Sequence, residues 1–510
     1  MCTTQAAQAT SCRSGGRFGL SGSDDADLAP GDPGNDHVDE ISRKSRRGLK
    51  WSLVGNLTTK VGSFAVTLVM ARLLSPADFG LYAVALAAMA IAMQVNDVGI
   101  IAACVQWRGK FEDMAPTAAT LAMLSSLLVY GLLWVSAPAF ARLAGAPEAT
   151  PVVRLLTLVI VVDGIAAVRA AALVRRFEQD RLIKANMIGM VVNAAVVLPL
   201  GFAGAGVYSL ASAQLIGWTA TSMLVFRMGN LPIKLGFDKD IAKKLVKFGL
   251  PLAASFGIES MLLNADYIII GNVLGAVWLG YYLMAFNISS WVPGLIGTAV
   301  RYVSVPGFSR LAEQGLESVV LGVRRAVPVL VSAILPVAVI MATLAPQLVD
   351  FLYGGKWGPS AVALPYLMVL MVVRMFTLLT IDILTSLGST KATVWLNAGW
   401  AVALVPALWI GTHLDGIRGA AIAHGAVAVS VALPLAVLAL RLEGISLAPT
   451  LHALVRPTLG AAISAATSIL IHSLVSPSPF IQLLAAGGAA MIVYIVVVVP
   501  RDHFRQLLGL

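Results

Sequence analysis

The chain has 510 residues with a net charge of +10, and 58% of them are hydrophobic while only 12% are charged. About 14 stretches between residues 51 and 500 have the roughly 20 mostly apolar residues that cross a bilayer. The connections between them leave no room for a soluble catalytic domain, so transport is expected rather than most kinds of enzyme. The basic residues lie at alternate helix ends, which argues against nucleic-acid binding.

The first 48 residues have a different composition, rich in Gly, Ser, Asp, Ala and Thr and poor in large apolar side chains. Such a segment cannot bury enough surface to offset the entropy lost on ordering. It also lacks the apolar region of a signal peptide. We therefore predict a disordered cytoplasmic tail over 1–48.

Lys and Arg are concentrated in one set of connections, for example in 43–50 and 234–247. The alternate connections carry only Arg142, Lys356 and Arg418. Basic residues mark cytoplasmic loops. The pattern therefore predicts that the N- and C-termini are both cytoplasmic.

An internal repeat divides the chain. RLLSPADFGLYAVAL at 72–86 matches NVLGAVWLGYYLMAF at 272–286, and GAGVYSLASA at 204–213 more weakly matches LDGIRGAAIA at 414–423. An even number of predicted spans separates equivalent positions, so the two copies keep the same orientation. This predicts two lobes related by an axis along the membrane normal, which is a known plan of transporters.

The predicted fold class is therefore an all-α integral membrane protein with about 14 transmembrane helices. Two six-helix lobes enclose a central cavity, and two further helices follow them. The predicted domains are the tail (1–48), the N-terminal lobe (49–228), a cytoplasmic linker (229–245), the C-terminal lobe (246–440), and the two additional helices with a short cytoplasmic end (441–510).

Ionisable residues within the predicted spans are candidates for function, since each costs roughly 2.5–3.5 kcal/mol at mid-bilayer. Lys60, Asp163, Glu259 and Arg374 fall near the middle of spans, whereas Arg301 falls near an end. Lys60 and Glu259 occupy almost equivalent positions in the two copies, so a salt bridge between them would close a gate.

Helical spacing places several polar residues on common faces. The first span carries Asn56, Lys60 and Ser63 on one face, the seventh carries Glu259 and Asp266, and the eighth carries Asn287 and Arg301. A polar stripe on a membrane helix faces protein or water rather than lipid. The stripes favour a shared central cavity, and the alternative is a buried hydrogen-bond network without a role in transport. Neither the three Cys nor the six His have the spacing of metal ligands, so no metal site is expected.

Three segments of the sequence resemble the Wzx-type polysaccharide flippases, the polysaccharide-transporter branch of the multidrug/oligosaccharidyl-lipid/polysaccharide exporter superfamily. They are GLKWSLVGNLTTKVGSFAVTLVMARLLSPADFGLYAVALAAMAIAMQVNDVG (48–99), its most specific part ARLLSPADFGLYAVAL (71–86), and ALVRRFEQD (172–180). The similarity extends over about 48–440, and the two last spans are less distinctive.

The resemblance implies alternating access and a substrate of undecaprenyl-pyrophosphate-linked oligosaccharide. The substrate would cross the bacterial inner membrane for exopolysaccharide, capsule or O-antigen synthesis. Implied partners are the lipid-linked oligosaccharide, the bilayer, and a polymerase and chain-length regulator of the same pathway. No cofactor is implied beyond a coupling H⁺ or Na⁺.

The family's cavities are typically cationic, which suits a pyrophosphate. The corresponding candidates here, assigned by their location in this chain, are cations for substrate binding (Lys60, Arg301, Arg374), polar lining (Asn56, Ser63, Asn287), and acids for ion coupling or gating (Glu259, Asp266, Asp163).

Two other functions remain open from the sequence. A cation-coupled multidrug antiporter of the same superfamily would share the fold, but such proteins usually have fewer spans and a mainly acidic cavity. A membrane glycan polymerase or ligase would generally carry a large periplasmic loop, whereas the longest outward connection predicted here is 351–360. Both observations favour the oligosaccharide flippase.

Overall fold

The computed structural model of the protein describes residues 55, 57–106, 110–176, 178–230, 235–475 and 478–498. The predicted tail over 1–48 and Asn56 lie outside the described residues. The backbone of Glu259 is described as helical, but its side chain is not.

The described chain is helical almost throughout. Its first helix, α1, covers 57–73. The remaining helices of the N-terminal half (57–230) are α2 (Pro76–Gln106), α3 (Phe111–Leu143), α4 (Thr150–Thr157), α5 (Val159–Arg175), α6 (Gln179–Phe202) and α7 (Val207–Met228).

The C-terminal half (235–442) and the segment after it are built in the same way. Their helices are α8 (Lys239–Leu263), α9 (Ala265–Leu274), α10 (Ala276–Glu313), α11 (Leu316–Thr343), α12 (Ala345–Tyr353), α13 (Leu364–Ser386), α14 (Thr390–Val427), α15 (Leu433–Leu442), α16 (Leu451–Leu474), α17 (Pro479–Gln482) and α18 (Gly488–Val498).

Ten helical stretches among the described residues are long and apolar enough to cross a membrane. The protein is thus a multi-pass membrane protein, and the predicted all-helical class is confirmed. One of the ten, Lys391–Leu442, is 52 residues long and is interrupted at Asp415 and Gly416. Gly416 has φ of 54°, a conformation that favours glycine and breaks the helix. The predicted total of about 14 spans stays a prediction.

The largest buried cluster joins the two halves. Leu74 and Phe79, near the start of α2, share it with Leu279 and Tyr282 of α10. These residues belong to the two segments that the sequence repeat relates, so the repeated motif forms the contact between the halves.

Two glycines bring α2 and α10 into backbone contact. A Cβ placed on Gly80 would lie 1.7 Å from the carbonyl oxygen of Ala276, and one on Gly280 would lie 1.9 Å from that of Pro76. Both separations are far below van der Waals contact, so any side chain there would force the helices apart. Gly280 lies 200 residues after Gly80, and Ala276 lies 200 residues after Pro76. The contact of Gly280 with Pro76 is therefore the repeat equivalent of the contact of Gly80 with Ala276, so the two contacts are reciprocal.

Candidate functional site

Lys60 links the two halves from within the bundle. Its Nζ donates to the carbonyl oxygen of Gly294 at 2.8 Å, so α1 is tied to α10. One turn further along α1, the Phe64 ring stacks on Trp291 of α10, with ring centroids 4.2 Å apart. The amine is thus paired with a backbone carbonyl, and no carboxylate contacts it among the described side chains. The predicted pairing with Glu259 concerns a side chain outside the described part and stays a prediction.

A cavity of about 400 Å³ lies beside this junction and is lined by α1, α2, α6, α7 and α10. Ser63 and Asn287, two of the residues predicted to be polar lining, both face it. The other polar and aromatic lining residues are Thr59, Thr67, Phe79, Tyr82, Asn186, Asn193, Gln214, Trp218 and Thr221. The amides of α6 and α7 were not among the predicted cavity residues, although the helical spacing of Asn186 and Asn193 places them on one face of α6.

Small residues let α6 and α7 approach closely at this cavity. A Cβ on Gly189 would lie 1.9 Å from Thr221 Oγ1, and one on Gly217 would lie 2.9 Å from the Cβ of Asn193. The close approach brings Asn193 to Gln214, and the Asn193 amide donates to Gln214 Oε1 at 3.4 Å. This hydrogen bond is long, so a ligand can replace it at little cost.

A second polar cluster lies between α10 and α13. Arg301 Nε contacts Asp382 Oδ1 at 3.2 Å, and Ser304 Oγ donates to Asp382 Oδ2 at 2.7 Å. The Asp382 side chain is 2% exposed while that of Arg301 is 56% exposed. Arg301 therefore compensates a buried carboxylate, which makes it a weaker anion ligand than an unpaired guanidinium. Its predicted role in substrate binding stays a prediction.

A third cluster is fully buried in the C-terminal half. The Tyr282 hydroxyl lies 3.4 Å from Asp266 Oδ2 and 3.2 Å from His424 Nδ1. The hydroxyl has one hydrogen, so it donates to the carboxylate or to the imidazole but not to both. Asp266 was predicted, whereas Tyr282 and His424 were not. A signal for Tyr282 existed, because it belongs to the repeated motif.

The remaining predicted residues are less closely tied to a cavity. Arg374 has an exposed side chain on α13 and is within electrostatic range of Asp266 and His424. Asp163 is half-buried in α5 and has interactions of its own. The assignment of these residues to substrate or ion binding stays a prediction.

The end of α1 is held by the connection between α12 and α13. Arg72 donates to the carbonyl oxygen of Phe351 at 2.8 Å, while Lys356 donates back to the carbonyl of Arg72 at 3.0 Å. The indole of Trp357 donates to the carbonyl of Ala71 at 2.8 Å. We call Arg72, Lys356 and Trp357 the α1 clamp. Burial, and then the nearby Arg72, lower the pKa of Lys356.

A matching contact holds the end of α9. Asn272 donates to the carbonyl oxygen of Leu143 at 2.8 Å. A Cβ on Gly145 would lie 1.9 Å from the carbonyl oxygen of Gly271. Asn272 follows Arg72 by 200 residues, so equivalent positions reach into the opposite half on both sides. We call Asn272 and Leu143 the α9 clamp.

These features define a helical membrane protein whose two halves meet around polar groups and are sealed at one end. Residues 69–362 match the family described as polysaccharide biosynthesis protein. The match covers more than half of the chain, so the chain belongs to this family.

Two curated relatives agree with this assignment. The succinoglycan biosynthesis transport protein ExoT of Rhizobium meliloti is 24% identical over 52% of this chain. The lipopolysaccharide biosynthesis protein WzxC of Escherichia coli is 22% identical over 74% of this chain. The aligned stretch covers 54% of ExoT and 77% of WzxC. The resemblance to Wzx-type flippases is confirmed, and the expectation of a transporter rather than an enzyme agrees with these relatives.

Solved structures show the same fold. The lipid II flippase MurJ in an inward closed conformation matches with a TM-score of 0.75 at 12% identity, over 90% of this chain and 99% of that one. A multidrug resistance transporter of the MATE family in an inward-facing conformation matches at 0.58 with 18% identity, over 76% and 96% of the two chains. At these identities the likeness concerns the fold alone.

Proposed function

We propose that this protein flips undecaprenyl-pyrophosphate-linked oligosaccharide units across the bacterial inner membrane for the synthesis of a surface polysaccharide. The observation that carries the proposal is the family match over residues 69–362. The relatives point the same way, since ExoT is a succinoglycan biosynthesis transport protein and WzxC is a lipopolysaccharide biosynthesis protein. In the expected pathway, a polymerase and a chain-length regulator act on the flipped units.

The proposed mechanism is alternating access by two lobes related by a two-fold axis along the membrane normal. The reciprocal contacts of Gly80 and Gly280 support this arrangement, because a two-fold axis repeats every contact it creates. The α1 and α9 clamps hold the lobes together at one end. The positive-inside pattern favours a periplasmic location for this end, and in the proposed mechanism the clamped lobes correspond to a conformation closed toward the periplasm.

Lys60 and Arg374 form the proposed binding site for the pyrophosphate. Lys60 already donates to a single neutral carbonyl, and a diphosphate offers its amine stronger, charge-assisted acceptors. The exposed guanidinium of Arg374 can grip a phosphate through two parallel hydrogen bonds. Arg301 contributes less, since Asp382 already engages it.

Asp266, Tyr282 and His424 form the proposed site of ion coupling, and a proton suits them better than Na⁺. The tyrosine hydroxyl can turn its hydrogen toward either neighbour, which lets protonation of one group be felt by the other. Chains of acids and histidines within membranes serve proton transport in other pumps. Glu259 and Asp163 remain further candidates for coupling or gating.

The test of this function is complementation of a flippase-deficient strain, with surface glycan and accumulated lipid-linked precursor both measured. We expect the wild-type chain to restore the glycan and clear the precursor. Lys60→Ala combined with Arg374→Ala should abolish export while membrane insertion persists. Arg374→Lys should retain part of the activity if only charge is needed, and little if the two-pronged grip matters.

Two outcomes would contradict the proposal at different levels. Wild-type export by the Lys60→Ala, Arg374→Ala double variant would remove the cationic site but leave the flippase. Failure of the wild-type chain to clear the precursor, combined with drug resistance in the same cells, would favour the multidrug antiporter. Thr219→Val is a suitable control, because Thr219 is exposed on α7 and bonds only within its own helix.

A further inference from the structure

The cavity between α1, α2, α6, α7 and α10 contains no formal charge. All of its lining residues belong to the described part of the chain, and each is apolar, hydroxyl-bearing, amide-bearing or aromatic. Its volume of about 400 Å³ falls in the range of ligand sites, roughly 300–1,000 Å³. A space of this size that is lined by amides suits a polar ligand better than an apolar one.

We infer that this cavity is a subsite for the uncharged sugars of the substrate, recognised by Asn186, Asn193 and Gln214. The inference rests on the proposed flippase function. It adds that the glycan and the pyrophosphate are bound by different groups, the sugars in the neutral cavity and the diphosphate at Lys60.

The chemistry of the lining favours a sugar over the other parts of a lipid-linked glycan. Each hydroxyl of a pyranose both donates and accepts hydrogen bonds, and a carboxamide also does both. Tyr82 and Trp218 add ring surfaces on which the C–H face of a sugar can pack. The long Asn193–Gln214 hydrogen bond leaves both amides able to turn toward a ligand.

The two other parts of the substrate fit poorly. A diphosphate without a cation or a set of N–H donors would be costly to bury in a low dielectric. An isoprenoid chain would leave the amides without partners, which costs more than leaving the cavity hydrated. The cavity therefore selects neutral polar groups.

The position of the cavity agrees with a divided substrate. Thr59 and Ser63, which line the cavity, flank Lys60 along α1, so the amine that ties α1 to Gly294 lies at the cavity's border. Met70, Phe79 and Val197 line the cavity toward the α1 clamp. The polar part thus begins next to the proposed phosphate site and gives way to apolar residues toward the sealed end.

A cysteine-protection experiment tests the subsite apart from transport. In a background with Cys2, Cys12 and Cys104 replaced by alanine, Ser63→Cys reports on the cavity and Ser446→Cys, in an exposed connection, serves as the control. The probes are undecaprenyl pyrophosphate and the undecaprenyl-linked glycan extracted from the host's membranes. At ten times its Kd, the glycan-bearing lipid should slow maleimide alkylation of Ser63→Cys about tenfold. Bare undecaprenyl pyrophosphate should not slow it, and Ser446→Cys should react equally in all samples.

Second variants show which groups recognise the sugar. Gln214→Leu and Asn193→Leu in the Ser63→Cys background should each raise the glycolipid concentration needed for protection about tenfold. The control Thr219→Val should leave it unchanged. Equal protection by both lipids, or protection by neither, would overturn the subsite. Complementation by the wild-type chain reports on the flippase function independently, so the two failures can be told apart.

Discussion

The two halves of the molecule differ in the residues that surround a tyrosine shared by the sequence repeat. In the N-terminal half, Val66, Tyr82 and Gln214 line an uncharged cavity. At offsets of 200, 200 and 210 residues, which are those of the two repeated segments, the C-terminal half has Asp266, Tyr282 and His424. There these three residues form a buried hydrogen-bonded network.

The comparison indicates that the two halves carry side chains of different chemistry around an equivalent tyrosine. The shared tyrosine remains in both halves, while its neighbours became apolar or amide-bearing in one copy and ionisable in the other. An amide cavity can discriminate among neutral ligands but cannot carry a charge. A buried acid–tyrosine–histidine set can respond to protons. In the proposed function, sugar recognition would then belong to the first half and proton coupling to the second, while the pyrophosphate site would draw on both halves through Lys60 and Arg374.

Replacing each of the two equivalent tyrosines should reveal the largest difference between the halves. Tyr282→Phe removes the hydroxyl between Asp266 and His424, and we expect proton-driven translocation to fall to the level of empty membranes. Tyr82→Phe removes one cavity hydroxyl and should leave most of the activity. The measurement is the rate of glycolipid flipping in proteoliposomes with and without an imposed pH gradient. Equal losses in both variants would show that the halves do not differ in the way we assign.

Placing a charge in the neutral cavity should produce the next largest effect. In Gln214→Glu, the added carboxylate faces the region next to the pyrophosphate site and repels an acidic glycolipid, so export should fall below that of Gln214→Leu. Surface glycan in the complemented strain gives the measurement, with expression compared by immunoblot. Export from Gln214→Glu at or above the level of Gln214→Leu would count against a neutral subsite.

The ion pair of the C-terminal half should be important for stability. Arg301→Met leaves the buried Asp382 carboxylate with Ser304 as its remaining side-chain partner, at a cost of about 1–3 kcal/mol. Thermal unfolding of the purified protein in detergent should therefore begin at a lower temperature. Adding Asp382→Leu should recover much of the loss, since an apolar pair often replaces a buried ion pair without penalty. A double variant less stable than Arg301→Met would argue against this explanation.

The two clamps allow a smaller and finer test. Lys356→Met removes the hydrogen bonds that Lys356 donates to the carbonyls of Arg72 and Leu74, and should favour the opening of the clamped end by about 1 kcal/mol, or roughly fivefold in population. Asn272→Ala removes the single hydrogen bond of the α9 clamp and should shift this population less. Spin labels at Leu73→Cys and Gly358→Cys, in opposite halves, would measure the separation. A larger shift from Asn272→Ala would reverse our ranking of the clamps.

Much of the polar site could be predicted because it follows helical spacing. The stripe of Lys60 and Ser63 on α1, and Asn287 on α10, is a local pattern that needs no tertiary knowledge. The partners of these groups could not be predicted in the same way. Asp382 lies 81 residues from Arg301 in sequence, and no periodicity relates them.

The clamps were also beyond prediction, for a different reason. Arg72, Lys356 and Trp357 donate to backbone carbonyls, and every residue has a carbonyl. The residue that accepts each of these hydrogen bonds therefore cannot be recognised from its residue type. The repeat, in contrast, was readable from Gly80 and Gly280, whose glycines are required by backbone contact. Sequence patterns thus reveal steric requirements and helix faces more readily than the choice of long-range partners.

The reciprocal glycine contacts have a mechanical consequence. Two points of backbone contact define a line, and a rigid body held along a line keeps one rotation, about that line. Rotation about the axis through Gly80 and Gly280 would widen the end of the bundle that is distant from these glycines, while the two glycine contacts stay intact. Opening the end of the bundle that contains these glycines instead requires both glycine contacts to separate at the same time. In the proposed alternating-access cycle, the two opening motions would therefore differ, one being a rotation about these contacts and the other their separation.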